Sequence, residues 1–302
     1  MNTMQELEAE FAAEKWFHAI DFGDFASSGR SKPGVPPNRT LFGFMDMIQH
    51  IDLKGMDVLD IGATDGLASF GMAALGARVR ATDTVDRKTF RRAREILDHP
   101  VEYHPTAQIK DFHRLFAPGT FDFILCAGVF YHMINPASSI FECRKILKDN
   151  GLLMIETPFY PNEDRAAIFI NSETETVFEA NTYSVPTKSA VTGLMKLAGF
   201  EILAVREAAP LNRVTVLGQA RNPDQVSDRT PLLQRIHEVD LCDREFRFKD
   251  EPPKTRSAIS YTGPFGEQKL DTSTYQPNFP YQPSVTKRTV GSTIWSTPEG
   301  NR

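Results

Sequence analysis

Nine consecutive residues carry the first chemical signal: Val58-Leu59-Asp60-Ile61-Gly62-Ala63-Thr64-Asp65-Gly66. An apolar run holding one acid leads straight into a loop with two glycines, and the amphipathic segment Leu67 to Leu75 follows at once. That order reads as a buried parallel strand, a tight turn and a helix start. Glycine permits positive φ at such a turn and lets a ligand approach the bare backbone. The unpaired N–H groups and positive dipole end of the helix suit a carboxylate or a phosphate. A second apolar run then ends in Arg80-Ala81-Thr82-Asp83. An acid about twenty residues past a glycine loop can accept bonds from both hydroxyls of a ribose. Its competing role is to cap the following helix.

The loop also discriminates between nucleotides. A dinucleotide fingerprint has the spacing G-x-G-x-x-G, with close approach to a pyrophosphate. Here Gly62 and Gly66 are four apart and Thr64 occupies the middle position. Asp60 and Asp65 put negative charge where a pyrophosphate would lie, and instead suit a ligand carrying an ammonium and a sulfonium. The methionine part of S-adenosylmethionine has both, with a carboxylate for the helix N-terminus. Asp60, Gly62, Ala63, Thr64, Gly66 and Asp83 are therefore the expected cofactor contacts, with Thr84 beside the acid and Gln108 after the third strand. The run Phe121 to His132 adds Cys126, Ala127 and Gly128, small residues at a strand end against which the cofactor can lie. Tyr131 and His132 then project near the transferring methyl. A hydroxyl acceptor needs a base, for which His132 ranks first. Glu156 and His18 are in reserve, and Tyr131 shapes the pocket. The competing reading of His132 is a ring that bonds to the backbone and braces the helix at Pro136. An amine or thiolate acceptor would need no base.

The elements that must position these residues alternate. Strands are expected at 57–61, 78–83, 101–105, 121–126 and 152–157, and helices at 66–75, 87–97, 136–147 and 187–198. Runs 200–206 and 212–220, parted by Pro210, read as an antiparallel pair closing the sheet. The fold class is therefore α/β, with a mostly parallel sheet between helices, and ligands bind outside the strands' carboxyl ends. Residues 1–55 form an N-terminal helical lid or cap, with one helix over 5–19 and another over 41–51. Trp16 and Phe17 pack in the core or, together with His18, shield the reaction site. Residues 56–220 form the cofactor-binding domain, and 221–302 a Pro/Tyr-rich arm in which Leu232 to Val239 reads as a helix. That arm is expected to wrap the main domain or a partner subunit.

These motifs resemble those of class I S-adenosylmethionine-dependent methyltransferases, and within them the tRNA wobble-uridine methyltransferase-like family. The pieces that carry the resemblance are WFHAIDFG (16–23), VLDIGATDG (58–66), ATDTVD (81–86), FDFILCAGVFYHMINP (121–136), GLLMIETP (151–158) and LMKLAGF (194–200). The resemblance implies a Rossmann-like seven-stranded sheet, S-adenosylmethionine as cofactor, and methylation or a related alkyl transfer. The bacterial wobble-uridine enzymes use a carboxylated cofactor held partly by the tyrosine that matches Tyr131. Lys32, Arg39 and Arg206 are candidates for its other partners.

Composition bounds the partners. The 302 residues carry a net charge of −5, so no global field draws the chain to nucleic acid or anionic lipid. A small-molecule acceptor therefore ranks above tRNA, and the plain cofactor above its carboxylated analogue. A non-catalytic binding module of the same fold is the remaining alternative, and a homodimer through the C-terminal arm is an option. Cys126, Cys143 and Cys242 form neither a metal pattern nor a disulfide framework, which fits a reducing cytoplasm. No apolar run is long enough to span a bilayer.

Overall fold

The computed structural model describes residues 4–30, 34–171, 181–221, 259, 261–263 and 266–290. Lys32, Cys242 and the expected helix from Leu232 to Val239 lie outside the described residues. The chain runs α1 (Met4–Ala13), β1 (Ala26–Ser27), α2 (Phe42–Ile48), β2 (Asp57–Ile61), α3 (Leu67–Ala74) and β3 (Arg78–Asp83). It continues α4 (Lys88–Leu97), β4 (Glu102–Pro105), α5 (Phe112–Leu115), β5 (Phe121–Ala127), α6 (Pro136–Ile146) and β6 (Leu147–Pro158). The remainder is β7 (Ile168–Ile170), β8 (Ser184–Pro186), α7 (Lys188–Leu197), β9 (Phe200–Ala209), β10 (Arg213–Ala220), β11 (Gly266–Asp271) and β12 (Thr289–Val290).

The central sheet has the order β11-β9-β10-β6-β5-β2-β3-β4. Neighbours from β6 to β4 run parallel, and β10 lies antiparallel between β6 and β9. Seven strands are those expected from the apolar runs. The eighth, β11, comes from the C-terminal region and pairs parallel with β9 along Gly266 to Asp271. Its residues Gly-Glu-Gln-Lys-Leu-Asp are mostly exposed, so main-chain bonding rather than burial holds it, and it covers an otherwise open edge.

Side chains alternate between the two faces of the sheet. Val58, Phe123, Leu125 and Met154 face one core with α2, α3 and the N-terminal segment. Leu59, Ile61, Ile124 and Ile155 face the other, with α5, α6 and α7. Asp60 shares the face of Val58, which aims its carboxylate at α3. Asn135 caps α6 by accepting from Ser138 N, with Pro136 in the first turn, and Thr187 caps α7 by accepting from Ala190 N.

The N-terminal helix is shorter than its periodicity predicts, because α1 stops at Ala13. The amide groups of Phe17 and His18 donate to Asp65 of the glycine loop and not to carbonyls one turn back. Trp16 is fully buried and stacks on Phe11 with ring centroids 4.7 Å apart. The C-terminal residues cross the same side of the molecule. Phe279 packs edge-on against Phe44, Tyr275 donates to Asp46 Oδ1 at 2.7 Å, and β12 pairs parallel with β1. Arg206 is fully buried and donates to Asp46 Oδ2 at 3.0 Å, which places it in this support and away from the cavity described next.

Candidate active site

At the carboxyl ends of β2 and β5 lies a cavity of about 360 Å³. Its floor is Asp60, Gly62, Ala63 and Thr64 of the glycine loop, with Ala68 of α3 and Ala127, Gly128 and Tyr131 after β5. Phe17, His18, Arg30 and the stretch Val35 to Leu41 roof it, and Phe44 and Arg213 complete the wall.

The loop takes the shape its sequence dictates. Gly62 has φ 75°, and a β-carbon there would lie 2.3 Å from Val129 Cγ2. Thr64 accepts a left-handed φ of 52°, which turns its amide toward Asp83 Oδ2 at 3.0 Å. Asp83 Oδ1 accepts from Val85 N at 3.0 Å, so each carboxylate oxygen keeps a lone pair for another donor. Asp83 stands at the loop's flank and not on the cavity wall. Gly66 abuts the Phe70 and Phe90 rings, and Cys126 is buried in the sheet. Thr84 and Gln108 are exposed and off the cavity, as expected of side chains that follow strand ends without a pocket residue opposite.

The two loop acids part company. Asp60 Oδ2 accepts from Ser69 Oγ at 2.5 Å, and its buried carboxyl is pushed up to about 7 by desolvation, with Asp83 adding to the rise. Asp65 has no place at the cavity, contrary to the expectation that both acids face the cofactor. Its Oδ2 accepts from Phe17 N and from His18 N at 2.7 Å, and its Oδ1 accepts from Thr89 Oγ1 at 2.5 Å. Burial raises it to about 6, and the bonds it accepts oppose that rise. Asp65 is a clasp between the glycine loop and the roof.

The candidate bases are placed differently from one another. His132 lies off the cavity, and its Nδ1 is 2.8 Å from the carbonyl oxygen of Asn181, so the ring braces the backbone. Glu156 is fully buried and receives both Nε and Nη2 of Arg213 at 2.6 and 2.7 Å, leaving no face open to an acceptor. His18 is the histidine on the cavity wall. Its Nδ1 is shielded from solvent and has no hydrogen-bond partner among the described residues. Desolvation, aided by the nearby Arg30 charge, holds its pKa down to about 3, so the ring is neutral near pH 7.

Three arginines reach the cavity. Arg213 lies over the Tyr131 ring, 5.4 Å from its centroid. Burial works against its charge, and Glu156 more than offsets that, raising the pKa further. Arg30 stacks on Phe17 with its guanidinium carbon 3.5 Å from the ring centroid. Arg39 stands beside them, and of Arg39 and Arg206, the described candidate partners for a carboxylate, it is the one on the cavity wall. Arg30 and Arg213 were not singled out from sequence. Arg30 sits in a Gly/Pro/Ser stretch without periodicity, and the start of β10 acquires meaning only from its register, which places Arg213 opposite Pro158 at the end of β6.

Among the described residues no group of three or more His, Cys, Asp or Glu is placed to hold a metal ion, and no helix is long and apolar enough to cross a membrane.

Comparison with known proteins bears on the family and the fold. Residues 39–205 match the family model described as a methyltransferase domain. The chain is 29% identical over 160 residues to a tRNA U34 carboxymethyltransferase of Campylobacter hominis, covering 52% of this chain and 55% of that one. It is 37% identical over 109 residues to a ubiquinone biosynthesis O-methyltransferase of Glaesserella parasuis, covering 35% of this chain and 46% of the relative. The chain thus spans about half the length of the curated relatives it matches. In structure it is similar to the 1,6-didemethyltoxoflavin-N1-methyltransferase of Burkholderia thailandensis, solved with bound 1,6-didemethyltoxoflavin and S-adenosylhomocysteine. The TM-score is 0.50 at 16% identity, over 61% of this chain and 79% of that one. With the family model matched over more than half its residues, and with the glycine loop, the flanking acid and the parallel sheet in place, the chain belongs to the methyltransferase domain family.

Proposed function

We propose that the protein transfers the methyl group of S-adenosylmethionine to a small-molecule acceptor seated between the glycine loop and the N-terminal roof. The observation that carries this reading is the cavity itself, with acidic Asp60 on the floor and neutral His18 in the roof. The residues present fit the cofactor. A β-carbon at Gly128 would find its nearest neighbour at 3.9 Å, so the backbone there is bare toward the cavity. Asp83 retains lone pairs for ribose hydroxyls, and Asp60 is an acid suited to an ammonium.

When bound, the cofactor supplies a methyl carbon activated by positive sulfur. The chain's part is to hold the acceptor in line with that carbon, which is worth roughly 7–11 kcal/mol of barrier lowering. Phe17 and the 35–41 stretch exclude water from the roof side. For a hydroxyl acceptor His18, the imidazole on the cavity wall, is placed to receive the proton, although burial leaves it a weak base. Glu156 holds Arg213 and Tyr131 in place and takes no proton.

Incubating the protein with labelled S-adenosylmethionine and cell extract tests the proposal. Label in the small-molecule fraction supports it, and a protein that transfers none is a binding module. The Asp83→Ala variant should lose cofactor affinity by calorimetry. A second reading takes its support from Arg213 beside Tyr131, a cationic corner that suits an extra carboxylate on the donor and hence a carboxymethyl transfer to tRNA. Its mark would be label in tRNA and binding that weakens steeply with salt as phosphate contacts release counterions.

A further inference from the structure

We infer that the methyl acceptor is an acid, a small carboxylate or phosphate whose anionic group is held by Arg30 and Arg39 in the roof. This rests on the methyl-transfer reading and adds the acceptor's chemical class.

The charges on the cavity wall are unequal. Among the described lining residues Arg30, Arg39 and Arg213 are the arginines and Asp60 is the acid. Arg213 is matched by the bidentate Glu156 behind it. Asp60 stands on the cofactor side, its oxygen bonded to Ser69. Asp65, on the same loop but off the cavity wall, is taken up by Phe17 N, His18 N and Thr89. Arg39 makes no ion pair and no side-chain hydrogen bond with any described residue, whereas Arg78, Arg80 and Arg91 each pair with a carboxylate. A guanidinium on the wall of a cavity offers a planar fork of donors that matches a carboxylate or phosphate.

The two arginines are also held where an acceptor must lie. Arg30 is laid flat on Phe17, and the backbone N–H of Arg30 donates to Phe17 O at 3.1 Å. Phe17 and His18 are clasped to Asp65, so Arg30 and the imidazole move as one piece of roof. Asn38, next to Arg39, is fixed to the backbone of Ala19 by bonds of 3.0 and 2.7 Å. Anion recognition and the base thus share one framework. Burial is the main cause of the low His18 pKa and Arg30 the lesser one, so an anion at Arg30 would relieve only the smaller part.

The test uses the full chain saturated with S-adenosylhomocysteine. Calorimetry compares 4-hydroxybenzoate and phenyl phosphate with the neutral 4-hydroxybenzamide, for wild type, Arg30→Gln and Arg39→Gln. The acids should bind about tenfold or more tighter than the amide. Arg39→Gln should remove most of that preference while the affinity for S-adenosylhomocysteine stays put. Equal binding of acid and amide, no binding of either, or an acid preference untouched by both variants overturns the proposal. So does a carboxylated donor analogue that depends on Arg39 and expels the acid, because the anion would then belong to the donor. Failure of S-adenosylhomocysteine to bind at all would instead strike the methyl-transfer reading.

Discussion

At the scale of single residues, Asp60 ties cofactor affinity to pH. Its carboxyl, raised to about 7 by burial, holds a proton in the free protein below that pH. A ligand with fixed positive charge must displace it. Affinity for S-adenosylmethionine should therefore rise with pH by up to about tenfold per unit until roughly pH 7 and flatten above. Calorimetric titration from pH 5.5 to 8 reads this, and Asp60→Asn should bind more weakly with no slope. The stability of the free protein carries the opposite sign. An acid whose native pKa lies above its unfolded value near 3.9 costs stability as pH rises from there toward 7. Melting temperatures across that window should fall less for Asp60→Asn than for wild type. Glu156 offers a second check. Glu156→Gln would leave Arg213 buried without its counter-charge, at a cost of about 3–5 kcal/mol, and removing both charges together should cost less. Urea midpoints decide; a double variant no better than Glu156→Gln would sink the idea.

Element by element, the sequence showed most where side chains do the specifying. β2 and β3 run from Asp57 to Ile61 and Arg78 to Asp83, as expected from Val58, Leu59 and Ile61 in the first and from Val79 and Ala81 ahead of the acid in the second. β11 has no such signature, since it is held by main-chain bonds and its side chains face water. The shape of the glycine loop was legible from Gly62 and Asp83 because their spacing is fixed by local geometry. The placing of the histidines was not. The sequence ranks His132 ahead of His18, and what draws the His132 ring to the backbone is the carbonyl of Asn181, 49 residues away. The hold of Phe279 on α3 was equally hidden. A β-carbon at Gly71 would lie 2.3 Å from that ring. Gly71→Ala should therefore unseat Phe279 at about 1–3 kcal/mol, as overpacking does. Hydrogen exchange over residues 275–283 should accelerate; unchanged protection there would show that the ring is not seated by Gly71.

Across the whole molecule, the roof is a joint product of both ends of the chain. Gln282 accepts from Asn38 Nδ2 at 2.9 Å and donates to Pro37 O at 2.8 Å, and the same Asn38 amide group holds Ala19. Lys287 pairs with Asp21, and Arg288 with Glu8. Gln282→Ala should loosen residues 17–20 in hydrogen exchange while the floor of the cavity keeps its affinity for S-adenosylhomocysteine. A loss of that affinity equal to the loosening would mean that floor and roof are one unit.

Because β10 ends at Ala220 and Gln282 comes 62 residues later, a chain leaving the ribosome can assemble its seven-strand sheet well before the bond to Asn38 exists. Synthesis therefore passes through a stage with a finished floor and an unfastened cover, and the roof is fastened only once Gln282 has emerged.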